Sequence, residues 1–424
     1  MNTFYDALET RSPQAREAAL MAALPGQIAH AQQHSAAFAS ILAGMDAASV
    51  SSREALARLP VTRKYELLER QQAARASANG NGANAGKVFG GFSALDFGHA
   101  MRRVFASPGT IYEPEGTRAD YWRMARTMYA AGFRAGDLIH NSFSYHFVPA
   151  GSMMETGAHA LGCTVFPGGT GQTEQQVHAM AELKPAGYIG TPSFLKLIVE
   201  KAADMGVALP SVKRALVSGE ACPPSLRDWL GERGIAAYQC YATADLGLIA
   251  YETAAREGLV LDEGVIVEIV RPGTGDPVPE GEVGELVITT LNTDYPLIRF
   301  GTGDLSAILP GHCPTGRTNV RIKGWLGRAD QTTKVRGMFV QPGQVIEVAK
   351  RFPQIQRVRL VITGAMANDQ MTLHVETLET APGLVQLLQD TVREVTKLRC
   401  EVQFHHPGRL PNDGKVIEDA RSYD

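Results

Sequence analysis

The first part of the chain has the hydrophobic periodicity of amphipathic helices. Apolar residues recur three and four positions apart in LPGQIAHAQQHSAAFASIL, from Leu24, and in SSREALARL, from Ser51. This spacing places them on one face of a helix, and Ser51 or Ser52 could cap the second segment. We therefore predict that residues 1 to about 76 are mostly helical.

Between about residue 100 and residue 300, short apolar runs alternate with segments of helical periodicity such as SFLKLIVEKAADMG. The runs stop at Gly, Ser or Thr and lie in DLIHNSFSYHF, GCTVFPGG, AGYIGTP and RALVSGE. Such alternation predicts parallel strands joined by crossover helices. Because ligands of these sheets bind beyond the carboxyl ends of the strands, the loops after the runs are the predicted site.

The pattern changes near residue 260, where VIVEIVRPGTGDPVPEGEVGELVITTL alternates apolar residues with Gly and Pro turns. This alternation predicts antiparallel strands. A compact tail after Asp330 combines short strand patterns with one helical segment, LVQLLQDTVREVTKL. We predict an α/β protein with a large N-terminal domain of parallel and mixed sheets at 1–329 and a small α+β C-terminal domain at 330–424.

The composition narrows the functional classes. The chain has 424 residues, with 41 basic and 44 acidic side chains and a net charge of −3. This balance argues against broad nucleic-acid binding. No apolar run approaches the length of a membrane span, and the N-terminus lacks the features of a secretory signal. The five cysteines are widely spaced and never form CxxC, which favours a reducing cytoplasm over a disulfide framework.

Six segments carry the candidate chemistry, and their order and spacing are more specific than any one of them. They are VFASPGTIYEP from Val104, SGEACPP from Ser218, YQCYATADLG from Tyr238, YPLIRFGTGDL from Tyr295, KGWLGRADQTTKVRGMFVQPGQVIE from Lys323 and GRLPNDGKVIEDAR from Gly408. Together they resemble the acyl-adenylate-forming superfamily, and most closely its phenylacetate–CoA ligases. The resemblance extends from about Leu24 to the end of the chain.

The resemblance implies an ATP-dependent, AMP-forming acid–CoA ligase for a small or aromatic, phenylacetate-like acid, with ATP, Mg²⁺ and coenzyme A as partners. The substrate carboxylate is itself the nucleophile, so the enzyme must align it with the α-phosphate and neutralise growing negative charge. Two alternatives stay open. One is an adenylating enzyme with a carrier-protein or amine acceptor, and the other is a catalytically degenerate nucleotide- or acyl-binding protein. The resemblance also implies a homodimer.

The resemblance assigns roles to specific residues. The nucleotide-binding set comprises Ser107, Gly109, Thr110, Ser218, Gly219, Glu220, Ala221, Tyr241, Ala242, Thr243, Asp304 and Arg328. Lys415, Thr243 and Asp245 are the catalytic set, with Asp245 on the Mg²⁺ side and Asp330 as the hinge. Tyr241 would stack on adenine, and Asp304 would accept hydrogen bonds from both ribose hydroxyls. Ordinary surface, turn or core roles are the alternatives for these side chains.

Two departures from the family pattern concern the phosphate loop and metal binding. Tyr112 and Glu113 stand where the family has Gly and Lys, which predicts weaker ATP affinity or a loop that moves aside. Asp245 replaces the usual Glu and is one methylene shorter, a change that Mg²⁺ tolerates by keeping waters.

A structural zinc site of the relatives maps to Thr253, Val260, Cys313 and Thr315. One thiol is too few for a tetrahedral zinc site, so we expect no zinc.

The acyl pocket is the least specific part of the sequence. NSFSYHFVPAG, from Asn141, corresponds to a pocket-lining segment of the family. Its substrate candidates are Phe143, Tyr145, His146 and Phe147, which would enclose an aromatic or short branched acid. Each of them could equally be an ordinary core residue.

Overall fold

The computed structural model describes residues 3–77, 85–107, 110–329, 331–364, 368–378, 383–411 and 415–421. The chain divides into two compact units, Met1–Gly327 and Arg328–Asp424. The first unit is a mixed α/β structure and the second is a small α+β structure, so the predicted fold class is confirmed.

The helices occur in both units and are numbered in chain order. They are α1 (Pro13–His34), α2 (Ala36–Ile41), α3 (Arg53–Ala57), α4 (Lys64–Ala76), α5 (Ala85–Val88), α6 (Met124–Ala130), α7 (Ala150–Leu161), α8 (Thr173–Leu183), α9 (Pro192–Asp204), α10 (Pro224–Glu232), α11 (Pro342–Lys350) and α12 (Leu384–Thr396). Two short 3₁₀ helices lie at Ala7–Thr10 and Ala47–Ser49.

The strands of the first unit are β1 (Thr62–Arg63), β2 (Met101–Ser107), β3 (Ile111–Gly116), β4 (Leu138–Asn141), β5 (Thr164–Pro167), β6 (Gly187–Gly190), β7 (Arg214–Val217), β8 (Ala236–Thr243), β9 (Gly247–Glu252), β10 (Leu259–Leu261), β11 (Val265–Val270), β12 (Gly284–Thr290), β13 (Phe300–Ser306), β14 (Ile308–Leu309) and β15 (Arg321–Ile322). Those of the second are β16 (Thr333–Val335), β17 (Met338–Val340), β18 (Ile355–Thr363), β19 (Gln370–Thr377), β20 (Glu401–His405) and β21 (Ile417–Asp419).

The helical segment predicted from Leu24 is interrupted at Ser35. Ser35 has extended backbone angles, which separate α1 from α2, and its hydroxyl accepts a hydrogen bond from the Phe38 N–H as the cap of α2. The same hydroxyl donates to the Gly91 carbonyl. A serine that bonds backbone groups in a non-helical conformation ends one helix and begins the next, and the periodicity alone does not reveal this break.

A nine-stranded sheet forms the centre of the first unit, in the order β14-β15-β10-β9-β8-β7-β6-β4-β5. The five strands β5, β4, β6, β7 and β8 are parallel, and a helix connects each to the next in the chain. This arrangement confirms the predicted strand–helix alternation. Strand β8 pairs in parallel with β7 and antiparallel with β9, so its far end continues beyond the parallel part of the sheet.

A second sheet in this unit joins distant parts of the sequence. Its order is β1-β13-β12-β11, and the two-residue strand β1 is parallel to β13, with Thr62 opposite Phe300. Leu24, Ile28 and Phe38 from the N-terminal helices are completely buried in the same hydrophobic cluster as Phe300. The N-terminal helices are therefore part of the core, and they carry residues 62–64 to β13.

The second unit contains the sheet β20-β19-β18-β21 and the hairpin β16-β17. Leu388 and Val392 on α12 and Val348 on α11 are buried in the same cluster as Leu360 of β18. Strand β21 begins two residues after Lys415, is parallel to β18, and is not among the strands predicted from the sequence. In the described part of the chain, no helix combines the length and apolar character needed to cross a membrane.

Candidate active site

The loops that follow the parallel strands are tied to one another by hydrogen bonds. After β7, the Ser218 hydroxyl donates to the Cys240 carbonyl of β8 at 2.8 Å. The exposed Glu220 accepts a bond from the Ser193 N–H at the start of α9, at 2.7 Å. Gly219 between them has φ +81°, a backbone conformation that favours glycine. The predicted adenine loop is thus anchored to two neighbouring elements.

Two residues from separate motifs meet at the end of β8. The hydroxyl of Tyr241 donates to Oδ2 of Asp304 at 2.6 Å, and Asp304 itself is only 8% exposed. The indole Nε1 of Trp325 donates to Oδ1 of the same carboxylate at 3.0 Å. The predicted adenine residue and the predicted ribose residue are therefore in direct contact, together with a tryptophan that sequence reasoning gave no role.

The predicted metal-side residue lies beside a cation from the N-terminal helices. Asp245 is 3% exposed in the turn between β8 and β9, and its Oδ2 is 2.7 Å from Nζ of Lys64. Lys64 begins α4 directly after β1, so the pairing of β1 with β13 brings this lysine to the site. Oδ1 of Asp245 has no hydrogen-bond partner within the described residues.

Glu113 is located inside the protein. It lies on β3 opposite Phe105, has no exposed surface, and neither carboxyl oxygen has a hydrogen-bond partner among the described residues. Burial, followed by the nearby Asp245 carboxylate, raises the pKa of Glu113 to about 8, although Lys64 opposes the rise. This carboxyl is therefore mainly protonated at neutral pH, which removes most of the charge expected to repel phosphates.

The carboxylate of Asp245 is a suitable ligand for a hard cation. Oδ1 of Asp245 is a buried carboxylate oxygen without a hydrogen-bond partner among the described residues. The mainly protonated Glu113 is not a suitable ligand for the ion. Mg²⁺ at nucleotide sites is usually held by one or two carboxylates together with phosphate oxygens and waters. Within the described ranges, no group of three or more His, Cys, Asp or Glu could hold a metal ion alone. Asp245 therefore fits Mg²⁺ only in company with a nucleotide.

The predicted phosphate loop is the turn of the β2–β3 hairpin. Ser107 ends β2 with its hydroxyl buried and lacking a partner among the described atoms, and Thr110 is exposed with φ +62°. The Thr110 N–H donates to the Ser107 carbonyl at 3.1 Å. Gly109 lies outside the described residues.

The acyl candidates occupy the loop between β4 and α7. Phe143 is buried in a core cluster, whereas His146 is exposed and Phe147 is 81% exposed. The hydroxyl of the half-buried Tyr145 accepts a bond from the Asn141 amide at 2.8 Å. Phe147 has φ +61°, and its carbonyl accepts a hydrogen bond from the Ala106 N–H at 2.8 Å. That contact ties the acyl loop to the strand that leads into the phosphate loop.

A buried glutamine orders the neighbouring loop. Oε1 of Gln176 accepts from the Ser142 hydroxyl at 2.7 Å and lies 2.8 Å from Nε2 of His140. Its amide nitrogen donates to the carbonyls of Gly169 and Gly171 at 2.8 and 2.7 Å. One side chain on α8 thus connects the predicted acyl-pocket segment at Ser142 to the loop at 169–171. Burial lowers the pKa of His140, which favours its neutral form.

The residues at the family's zinc position form a hydrogen-bonded group. The Cys313 sulfur is 3.0 Å from the Thr315 hydroxyl and 3.6 Å from that of Thr253, and Val260 is buried nearby in the same cluster as Cys313. One thiol and two hydroxyls are not a zinc donor set. The absence of zinc remains a prediction.

The remaining predicted residues are at other places in the chain. Arg328 is the first residue of the second unit, and Ala242 and Thr243 lie at the end of β8. Lys415 is exposed in the second unit, just before β21. The hinge candidate Asp330 lies outside the described residues. The roles of Lys415 and Arg328 stay predictions.

Sequence reasoning missed Lys64, Trp325 and Gln176. Lys64 has no local signal, because its pairing with Asp245 spans 181 positions of the chain. Trp325 lies within the segment KGWLGRAD, where an aromatic residue with a donor next to a family motif was an available clue. Gln176 lies on a helix that alternates buried and exposed faces, which gave no sign of its polar network.

Comparisons with known proteins agree with the motif pattern. Residues 117–293 match the family model of AMP-binding enzymes. The chain is 31% identical to the phenylacetate–coenzyme A ligase of Thermus thermophilus over 355 residues, covering 80% of this chain and 75% of that protein. It is 29% identical to the phenylacetate–coenzyme A ligase of Escherichia coli over 343 residues, covering 74% and 77% of the two chains.

A solved structure shares the fold over the whole length. It is 2-hydroxyisobutyryl-CoA ligase in complex with 2-HIB-AMP and CoA in the thioesterification state. The two superpose with a TM-score of 0.81 and 24% identity, covering 100% of this chain and 93% of the other. At this identity the likeness is one of fold.

Proposed function

Because the chain belongs to the phenylacetate–coenzyme A ligase family of acyl-adenylate-forming enzymes, we propose that it activates a small or aromatic carboxylic acid. The reaction class is ATP-dependent ligation of an acid to the thiol of coenzyme A through an acyl-adenylate. The observation that carries the proposal is the Tyr241–Asp304 hydrogen bond, which joins the two motifs expected to hold the nucleoside.

The first half-reaction requires alignment of charges rather than a base. The acid carboxylate attacks the α-phosphate of ATP, the α–β phosphoanhydride bond breaks, and pyrophosphate leaves. Tyr241 and the 218–221 loop would hold adenine, and Asp304 would accept from the ribose hydroxyls. Lys64, half-exposed beside Asp245, is a cation near Glu113 on the β2–β3 hairpin. A fixed positive charge there would stabilise the negative charge that develops on the phosphates.

Mg²⁺ is the metal implied by this chemistry, and Asp245 would hold it. When bound, the ion would supply charge neutralisation for the phosphate oxygens. Oδ1 of Asp245 is buried without a partner among the residues that the structure describes, which supports this role, since Oδ2 is already paired with Lys64. Asp245 would then act as a bridge between the metal and the lysine.

Lys415 is the proposed catalytic lysine of the adenylation step. It is exposed on the second unit, which we propose as the mobile domain, with Asp330 as the hinge and Arg328 near the ribose. In the second half-reaction the thiolate of coenzyme A attacks the acyl carbon, a carbon–sulfur bond forms and AMP leaves. A domain rotation between the two steps would exchange the groups at the site.

The acid is proposed to be aromatic or short and branched. The names of the relatives support an arylacetate, and the loop at 143–147 would border the acyl group. Tyr145, His146 and Phe147 are the candidates with accessible surface, whereas Phe143 is packed in the core. Phe143 would therefore support the residues that line the acyl pocket and would not contact the acid directly.

One experiment distinguishes coenzyme A ligation from its two alternatives, a carrier-protein or amine acceptor and a catalytically degenerate binding protein. Acid-dependent pyrophosphate release would be measured with phenylacetate, benzoate and 2-hydroxyisobutyrate, with and without coenzyme A. We expect release with at least one acid and a free acyl-CoA product when coenzyme A is present. Pyrophosphate without a thioester would favour a carrier-protein or amine acceptor. No release from any acid, with AMP binding intact, would favour a degenerate binding protein.

Lys415→Ala tests the catalytic assignment within the same assay. Loss of one cation aimed at developing charge slows such steps on the order of 10²–10³-fold, so adenylation should fall by about that factor. Lys397→Ala, another exposed lysine of the second unit, is the matched control and should retain full rate. Unchanged adenylation in Lys415→Ala would overturn the assignment.

We further propose a homodimer in the cytoplasm. All five cysteines are buried and free, as expected in a reducing compartment. Light scattering coupled to size-exclusion chromatography would measure the mass against the 45.6 kDa of one chain.

A further inference from the structure

The carboxylate of Asp304 receives a donor on each oxygen. Tyr241 donates to Oδ2 at 2.6 Å, and Trp325 donates to Oδ1 at 3.0 Å. The Asp304 N–H also donates to the Thr302 hydroxyl at 3.1 Å, which fixes the local backbone. Two donors on opposite oxygens define the plane of a carboxylate, because rotation about its terminal torsion would break both bonds.

The backbone around Trp325 is held against β13. The Lys323 N–H donates to the Ala307 carbonyl at 2.9 Å, and the Leu326 N–H donates to the Leu305 carbonyl at 2.9 Å. The Leu305 N–H in turn donates to the Gly327 carbonyl at 2.9 Å. Trp325 therefore belongs to the first unit by backbone pairing as well as by its side chain.

The hydrogen-bonding chemistry of Asp304 and Trp325 is complementary. An ionised carboxylate has about four acceptor directions on its two oxygens. The indole N–H is a donor only, so Trp325 holds Oδ1 as an acceptor.

We propose that Trp325 is a positioning residue for the ribose. Its N–H fixes the plane of the Asp304 carboxylate, so that both oxygens meet the 2′- and 3′-hydroxyls together, and it thereby determines selectivity for ribonucleotides over deoxyribonucleotides. This inference rests on the proposed ribose role of Asp304. It adds the residue that orients the carboxylate and the discrimination that results.

Trp325→Phe tests the hydrogen bond from Trp325 to Asp304. The phenyl ring keeps an aromatic side chain but has no N–H group to donate. Trp229→Phe is the matched control, because Trp229 lies on α10 and stacks on the Arg233 guanidinium. Calorimetric titration of the full chain with AMP, 2′-deoxyAMP and 3′-deoxyAMP gives three dissociation constants for each variant. The ratio of deoxy to ribo constants is the decisive quantity, because general destabilisation would not change it selectively.

A hydrogen bond to a charged group is worth about 10–100-fold in binding, and the wild type should prefer AMP to each deoxy analogue by about that factor. In Trp325→Phe the preference should fall to a few-fold and AMP should bind about 10-fold more weakly. Trp229→Phe should match the wild type. If Trp325→Phe keeps the wild-type preference, the positioning role is wrong.

Asp304→Asn separates this inference from its premise. If the amide variant loses AMP affinity and selectivity while Trp325→Phe keeps both, Asp304 binds ribose without help from Trp325. If Asp304→Asn leaves the AMP and deoxy constants unchanged, the ribose role of Asp304 is wrong, and the inference about Trp325 falls with it.

Discussion

Nζ of Lys64 lies 2.7 Å from Oδ2 of Asp245, although 181 positions separate the two residues in the chain. The lysine side chain is 37% exposed, whereas that of the aspartate is 1% exposed. The pair therefore combines a buried carboxylate with a cation that solvent reaches. A carboxylate in such a position depends on its cation more than an exposed one does.

Replacing Lys64 by Met should lower the free energy of unfolding by about 1–3 kcal/mol, a range reduced from that of a fully buried pair because the lysine is partly solvated. Urea denaturation monitored by fluorescence measures this difference. Lys64→Arg keeps the charge and should lose much less. In Lys64→Met combined with Asp245→Asn, the amide needs no cation, so part of the stability should return. Additive losses in the double variant would show that the two side chains are not coupled.

The buried Glu113 should make stability dependent on pH. Its pKa is about 8 in the folded protein, and an unfolded glutamate has a pKa of about 4.3. Between these values the folded state keeps a proton that the unfolded state releases. The free energy of unfolding therefore decreases as the pH rises from about 4.5 to about 8, and this contribution then becomes constant.

Glu113→Gln removes that titration and should flatten this part of the pH profile, as measured by thermal unfolding at several pH values. The exposed Glu280→Gln is the matched control and should leave the profile unchanged. A Glu113→Gln profile that parallels the wild type would show that Glu113 is ionised in the folded protein.

Gln176→Leu should weaken both stability and acid binding. It would leave the Ser142 hydroxyl, the His140 ring and two glycine carbonyls without their partner, which costs about 2–4 kcal/mol when such groups stay dry. The KM for the acid should rise because the loop at 169–171 loses its anchor. Thermal unfolding and initial rates measure the two effects, and the exposed neighbour substitution Gln175→Leu should show neither.

Substitutions at Phe147 test whether its left-handed backbone conformation is maintained in the acyl loop. Its φ of +61° is unfavourable for a residue with a Cβ, by about 1–2 kcal/mol relative to glycine. Phe147→Gly should therefore be more stable than Phe147→Ala by about 1 kcal/mol. Both variants lack the exposed ring, so an equal rise in KM for the acid would assign that effect to the ring. Equal stability of the two variants would mean that the loop relaxes its backbone.

The parallel core and the position of its loops could be predicted from the sequence. Each of the runs ending near Asn141, Pro167, Gly190 and Val217 is short, apolar and followed by a helical segment. These are local properties, and the rule that ligands bind beyond strand ends then places the 218–221 loop and the end of β8 together. The structure brings Tyr241 and Asp304 into direct contact, and their nucleoside roles stay predictions.

The environments of Lys64 and Glu113 could not be predicted, because they depend on non-local pairing. Strand β1 is two residues long and gives no periodic signal, yet its register with β13 places Lys64 beside Asp245. Glu113 stands where the family has a lysine, and the motif resemblance predicts that it lies on the phosphate loop. The β2–β3 register instead sets it on the inner face of the hairpin, with Ser107 and Phe105.

The pairing of β1 with β13 also limits how the chain can be shortened. The segment that matches the AMP-binding family model, 117–293, excludes Lys64 and Ser107 on one side and Asp304 and Trp325 on the other. A fragment trimmed to that segment would retain the parallel strands but would lose both flanks of the proposed nucleoside site. If that site binds the nucleotide, a truncated or fused version has to keep residues 62–64 and 300–327 joined to the sheet.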